Sequence, residues 1–129
     1  MSPRTALWTG RVLSGIAILF LIFDGAIKLA PIQPVTDSLR ELGYPATDSF
    51  ARFLGIVTLV CTALYAWPRT ALLGAVLLTG LMGGAIASHL RLGDPLFSHT
   101  LFGVWLGLFF WVGLWLRDER VRRVMPMLL

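Results

Sequence analysis

The sequence predicts an all-α integral membrane protein, a four-helix up-down-up-down bundle with both termini in the cytoplasm. Three observations carry that prediction. Hydrophobic residues make up 57% of the chain and charged residues only 14%, with mean hydropathy +0.78, whereas soluble domains run at roughly 45–50% apolar and about 25% charged. Four apolar runs recur, at residues 10–30, 49–67, 70–89 and 99–116, each close to the roughly 20 residues that a helix needs to cross a bilayer core. Seven of the eleven basic residues fall on one predicted side: Arg4 and Arg11, Arg69 in the second turn, and Arg117, Arg120, Arg122 and Arg123 in the tail. The side richer in lysine and arginine is the cytoplasmic one.

Nothing in the composition marks a linker, so residues 1–129 read as a single domain. Cys61 is the only cysteine, which rules out a disulfide framework within the chain, and its apolar surroundings mark it as packing. The net charge of +4 does not point to nucleic acid, because the arginines sit at the ends of the apolar runs, where membrane topology places them.

The first run follows a cationic start at Arg4 and Arg11, the pattern of a signal peptide. It continues unbroken to Ala30 without a small-residue cleavage site, so the expectation is an uncleaved first span, ended by Pro31 and Pro34. Asp24 and Lys28 lie inside it, four residues apart with the acid first, and can pair on one face. Ionisable groups in a span face a bundle interior or a water-filled cavity. Lys28 is near enough to the end to snorkel instead; Asp24 is deeper and has a short stem, so it is expected to be buried and partnered.

Residues 31–49 form the longest polar connection. Val35, Leu39 and Leu42 make an apolar stripe at helical spacing, with Gly43 and Pro45 as stops. A short amphipathic helix on the membrane surface and an irregular loop both fit. The second run places Arg52 one turn inside its helix. Pro68, Arg69 and Thr70 make a minimal turn into the third run, and Gly93, Asp94 and Pro95 make the next. Trp8, Trp67, Trp111 and Trp115 fall toward the predicted cytoplasmic face, as an interfacial aromatic belt does. Gly80 with Gly84, and Gly103 with Gly107, have the GxxxG spacing that permits close backbone approach, so the third and fourth helices are expected to touch there.

This topology gathers the outer helix ends into one polar layer: Asp24 and Lys28, Arg52, His89 and Arg91, and Asp94, Ser98 and His99. No catalytic motif accompanies it; there is no CxxC, HExxH, phosphate loop or GxSxG. The spacing of His89, Asp94 and His99 matches no common metal site, so no metal is expected. Two readings stay open. In one, a small apolar ligand enters from the bilayer and its polar head meets Asp24 and His89 as the chemical pair, with Lys28, Arg52, Arg91, Asp94 and His99 as binding groups; a carboxylate beside a histidine in an apolar pocket suits proton transfer. In the other, the cluster is an interfacial salt-bridge network that fixes helix packing.

The segments FDGAIKL, LGYP, PRT, GGAIASHLRLGDPLFSH and LGLFFWVGLWLRDERVRRVMP resemble the DoxX-like membrane proteins, small four-helix members of the wider DoxX group, over nearly the whole chain. The glutamate that many of that group carry after the LG pair of helix two is absent: Leu54 and Gly55 are followed by Ile56, Val57 and Thr58. The resemblance implies a bacterial plasma-membrane protein and an association with quinone-linked redox complexes, with a quinone as the candidate cofactor and a homo-oligomer or membrane redox partner as company. The fold is also similar to the cores of sterol-isomerase-type membrane proteins. The leading expectation is therefore binding of a hydrophobic small molecule within a membrane redox system. A cofactor-free acid-base enzyme such as an isomerase, and a structural or assembly subunit, are the alternatives.

Overall fold

The structure is a computed structural model that describes residues 2–93 and 102–125. Every element in those residues is helical: α1 (Pro3–Leu29), α2 (Gln33–Glu41), α3 (Asp48–Ala66), α4 (Ala71–Leu92), α5 (Phe102–Arg117) and α6 (Glu119–Val124). α1 begins well before residue 10 because Ser2 caps it. The Thr5 amide donates to the Ser2 hydroxyl at 3.1 Å, and Pro3 in the first helical position loses no helical hydrogen bond. α4 runs past residue 89, so His89 and Arg91 are both helical, and Gly93 ends it in the left-handed region at φ 70°, where a side chain would be strained. α6 was not expected. Asp118 interrupts the apolar run and caps it, accepting from the Arg120 amide at 2.9 Å.

α1, α3 and α4 are long and apolar enough to cross a membrane. α5 is apolar but has 16 residues, about 24 Å at 1.5 Å per residue, less than the roughly 30 Å hydrocarbon core. The start of the predicted fourth run, residues 99–101, lies outside the described residues. Leu19, Phe23, Phe53 and Val60 point outward along the long helices, as lipid-facing side chains do.

α1 packs on α3 and on α5, and α4 packs on the same two helices, so α1 and α4 occupy opposite corners. Neighbouring helices run antiparallel. The start of α1 meets the end of α5, where a Cβ on Gly10 would sit 2.7 Å from the Gly113 carbonyl; the end of α1 meets the start of α3, where a Cβ on Gly55 would sit 2.8 Å from the Gly25 carbonyl. These glycines set the close approaches, since small residues let backbones touch when lipid supplies no hydrophobic drive. The expectation for the GxxxG pairs is corrected. Gly103 does meet Met82 and Ile86 of α4, but a Cβ on Gly80, Gly84 or Gly107 would meet no atom within 4 Å among the described residues.

The end that holds the chain termini is the tight one. α4 starts hard against α3, with Gly74 on the backbone of Tyr65. Tyr65 is fully buried; its hydroxyl donates to the Phe110 carbonyl and accepts from the Ser14 hydroxyl at 2.9 Å. Arg117 stacks over its ring at 4.9 Å and donates to its carbonyl at 2.9 Å. Leu21, Leu78, Phe110 and Leu114 fill the space around it.

Candidate functional site

At the other end α4 stays against α5 but leaves a cavity of about 590 Å³ between itself, α1 and α3, covered by α2 and Tyr44. Gly80 and Gly84 line it, so the glycines expected to bring helices together instead clear room for something else. The apolar wall comes from residues such as Ile27, Leu54, Leu81 and Met82. α2 forms the cover because its stripe turns inward. Val35 and Leu39 are buried against Ala51, with Ile27, Phe50 and Leu54 around them. The helical reading of residues 31–49 is therefore right, and the expected membrane-surface placement of its stripe is corrected: the stripe seals the bundle.

Asp24 and Lys28 sit in the wall of this cavity, as an ion pair at 2.8 Å with both side chains about a quarter exposed. The spacing that predicted the pair also explains it, since residues four apart on a helix are neighbours. His89 lines the cavity from α4. A second cavity of about 180 Å³, between α1, α4 and α5, shares Asp24, Lys28 and His89 with the first. The three polar residues thus stand where the two chambers adjoin.

The other predicted residues separate. Arg52 turns to the end of α1, where its Nε donates to the Leu29 carbonyl at 3.2 Å. A helix C-terminus presents carbonyls without helical partners, and a nearby guanidinium satisfies one. Arg91 donates to the Leu42 carbonyl and so pins the end of α2 to α4. Neither arginine is among the residues that line the two cavities. Asp94 and His99 lie outside the described residues. Among the described residues no three of His, Cys, Asp and Glu group as metal ligands.

Sequence reasoning missed Tyr44 and Ser88. Tyr44 stacks on Phe50, with centroids 5.7 Å apart, and its hydroxyl lies 2.8 Å from the Ser88 hydroxyl. Ser88 also donates to the Gly84 carbonyl at 2.8 Å. Its one proton is spent there, so Tyr44 is the donor between the two hydroxyls. Thr58 lines the cavity too, its hydroxyl bonded to the Leu54 carbonyl at 2.8 Å. The available signal was positional: Tyr44 lies in the polar connection just after Gly43, and Ser88 precedes His89.

Chemically, the arrangement offers an apolar chamber with a charged pair, an imidazole and a phenol on its wall, the pattern of small-molecule sites. No curated protein and no solved structure matches the chain. The sequence model of the DoxX-like family matches residues 12–113, from α1 into α5, and the chain belongs to the DoxX-like family.

Proposed function

We propose that this protein is a multi-pass protein of a bacterial plasma membrane, with four spans and both termini in the cytoplasm, and that it binds a hydrophobic small molecule in the larger cavity as part of a membrane redox system. The observation that carries the binding reading is the cavity. Its volume of about 590 Å³ falls within the roughly 300–1,000 Å³ of small-molecule sites, and helices tolerate such a void between spans only where the sequence keeps it open, here with Gly80 and Gly84. A quinone fits this chamber as a candidate ligand: apolar walls suit its ring and tail, and the Lys28 ammonium, with donors beyond the one given to Asp24, suits a carbonyl oxygen.

A second reading has its own observation. Asp24 and His89 line both chambers, and a carboxylate and an imidazole facing one apolar space suit acid-base chemistry on a lipophilic substrate. Native mass spectrometry of the protein released from mild detergent tests the shared core of both readings. Wild type should retain a lipophilic molecule. Gly84→Leu, which projects a side chain into the cavity, should lose it while remaining folded. An empty wild-type protein, or a ligand-bearing Gly84→Leu, would overturn the proposal. The same spectra report whether the protein is a homo-oligomer.

A further inference from the structure

The geometry points to an uncharged lipophile bearing a hydroxyl group, an alcohol or a phenol, as the occupant of the larger cavity; this rests on the binding reading above and narrows it. Asp24 is the only acid, and Lys28 the only lysine or arginine, among the described residues that line the cavity. Held at 2.8 Å, they cancel. A carboxylate or ammonium brought among these apolar walls would give up its water and find no net countercharge, a large desolvation cost without compensation. A neutral molecule avoids that cost.

The hydrogen-bond inventory then selects the polar group. Lys28 has three donors and gives one to Asp24; the Asp24 carboxylate has acceptor sites beyond the one that Lys28 occupies. A donor and an acceptor therefore lie side by side on one wall. A hydroxyl group both donates and accepts, so it satisfies the two together, whereas an ether or ketone oxygen uses only the Lys28 side. Tyr44 adds a second acceptor. Its proton goes to Ser88, because the Ser88 proton goes to the Gly84 carbonyl, and the phenol oxygen is left to accept. Thr58 gives its proton to the Leu54 carbonyl and is likewise left to accept. The wall asks for a molecule that brings a proton to donate and no charge.

Three probes that share a pyrenyl-decyl chain and end in a hydroxyl, a carboxylate or a trimethylammonium group test this. Retention per protein is read by native mass spectrometry in an uncharged detergent. Wild type should hold the hydroxyl probe at least tenfold more tightly than either ion. Asp24→Asn leaves Lys28 uncancelled and should move the preference toward the carboxylate by about tenfold. Lys28→Met leaves Asp24 uncancelled and should move it toward the ammonium by about as much. Opposite shifts cannot arise from a loosened fold. A wild-type protein that prefers an ion, or variants that shift together or not at all, would overturn the inference while leaving the cavity reading in place. Wild type that retains none of the three would remove both. If a variant fails to fold, the wild-type ranking alone decides.

Discussion

Gly55→Ala and Gly84→Ala should change stability in opposite directions, although each adds one methyl group to a helical glycine in the same bundle. Both gain from helix propensity, because alanine is better than glycine by about 1 kcal/mol inside a helix. At Gly84 that is the whole effect, since the added Cβ meets no atom within 4 Å among the described residues. At Gly55 the Cβ would lie 2.8 Å from the Gly25 carbonyl oxygen, 3.0 Å from the Leu29 nitrogen and 3.0 Å from the Lys28 Cβ. Two of these are backbone atoms that cannot rotate away. α1 and α3 must separate, and overpacking of this kind costs typically 1–3 kcal/mol. The cost also spreads along the α1–α3 contact, because a helix moves as a rod. With two rigid backbone contacts the cost falls in the upper part of that range, about 2–3 kcal/mol, so the net expectation is about 1–2 kcal/mol of loss at Gly55 and up to about 1 kcal/mol of gain at Gly84. With a few degrees per kcal/mol for a chain of this size, the two melting temperatures should differ by roughly 5–10 °C, read by thermal unfolding in mild detergent. A Gly55→Ala protein as stable as wild type would refute the close α1–α3 approach, and a destabilised Gly84→Ala would refute the open face of α4.

The remaining predictions concern charge and topology. In a Cys61→Ala background, Thr36→Cys should react with a membrane-impermeant thiol reagent added outside spheroplasts, and Arg122→Cys should not; the reverse pattern would invert the proposed orientation. Asp24→Asn should lower stability by about 1–2 kcal/mol, because it strands Lys28, and adding Lys28→Met should recover part of the loss; purely additive effects would show that the pair is not coupled. Asp118 lies outside the spans, where the Arg120 guanidinium and then the Arg120 amide, by hydrogen bonding, hold its carboxyl below the usual carboxylate range. A depressed folded-state value means that its contribution is complete above the unfolded value of about 3.9 and disappears as pH falls through the folded one. The melting temperature should therefore drop between about pH 5 and pH 2, and Asp118→Asn should flatten that drop; an unchanged pH profile in the variant would refute the assignment.

Three long apolar helices and the ion pair were legible because their signals are local. Hydropathy reads out length, and the spacing of Asp24 and Lys28 reads out a shared face whatever surrounds the helix. The inward stripe of α2 was legible as a helix for the same reason, yet its destination was not, since Val35 and Leu39 serve a bilayer surface and a bundle equally well by pattern. The glycines show the limit most clearly. GxxxG spacing singled out Gly80 and Gly84, which face open space, and passed over Gly25, Gly55, Gly10 and Gly113, which make the contacts. Each of those contacts pairs glycines from different helices, and the azimuth that brings them together is a property of the assembled bundle. For Arg52 and Arg91 the pattern showed a charge near a helix end but not its partner, which here is a helix-end carbonyl in each case. Tyr44 and Ser88 meet across 44 positions of chain, beyond the reach of any local pattern.

The contact of Gly74 on Tyr65 gives α4 a fulcrum. Backbone touches backbone there, so that point can rotate a little but cannot slide. From Gly74 to Ser88 the helix is a lever about 21 Å long at 1.5 Å per residue. A tilt of only about 5° at the fulcrum would carry Ser88 through about 2 Å, while Leu78, four residues from the fulcrum and packed beside Tyr65, would move only about 0.5 Å. Small angular changes at the fulcrum are therefore magnified at the end of α4 that carries Ser88 and His89.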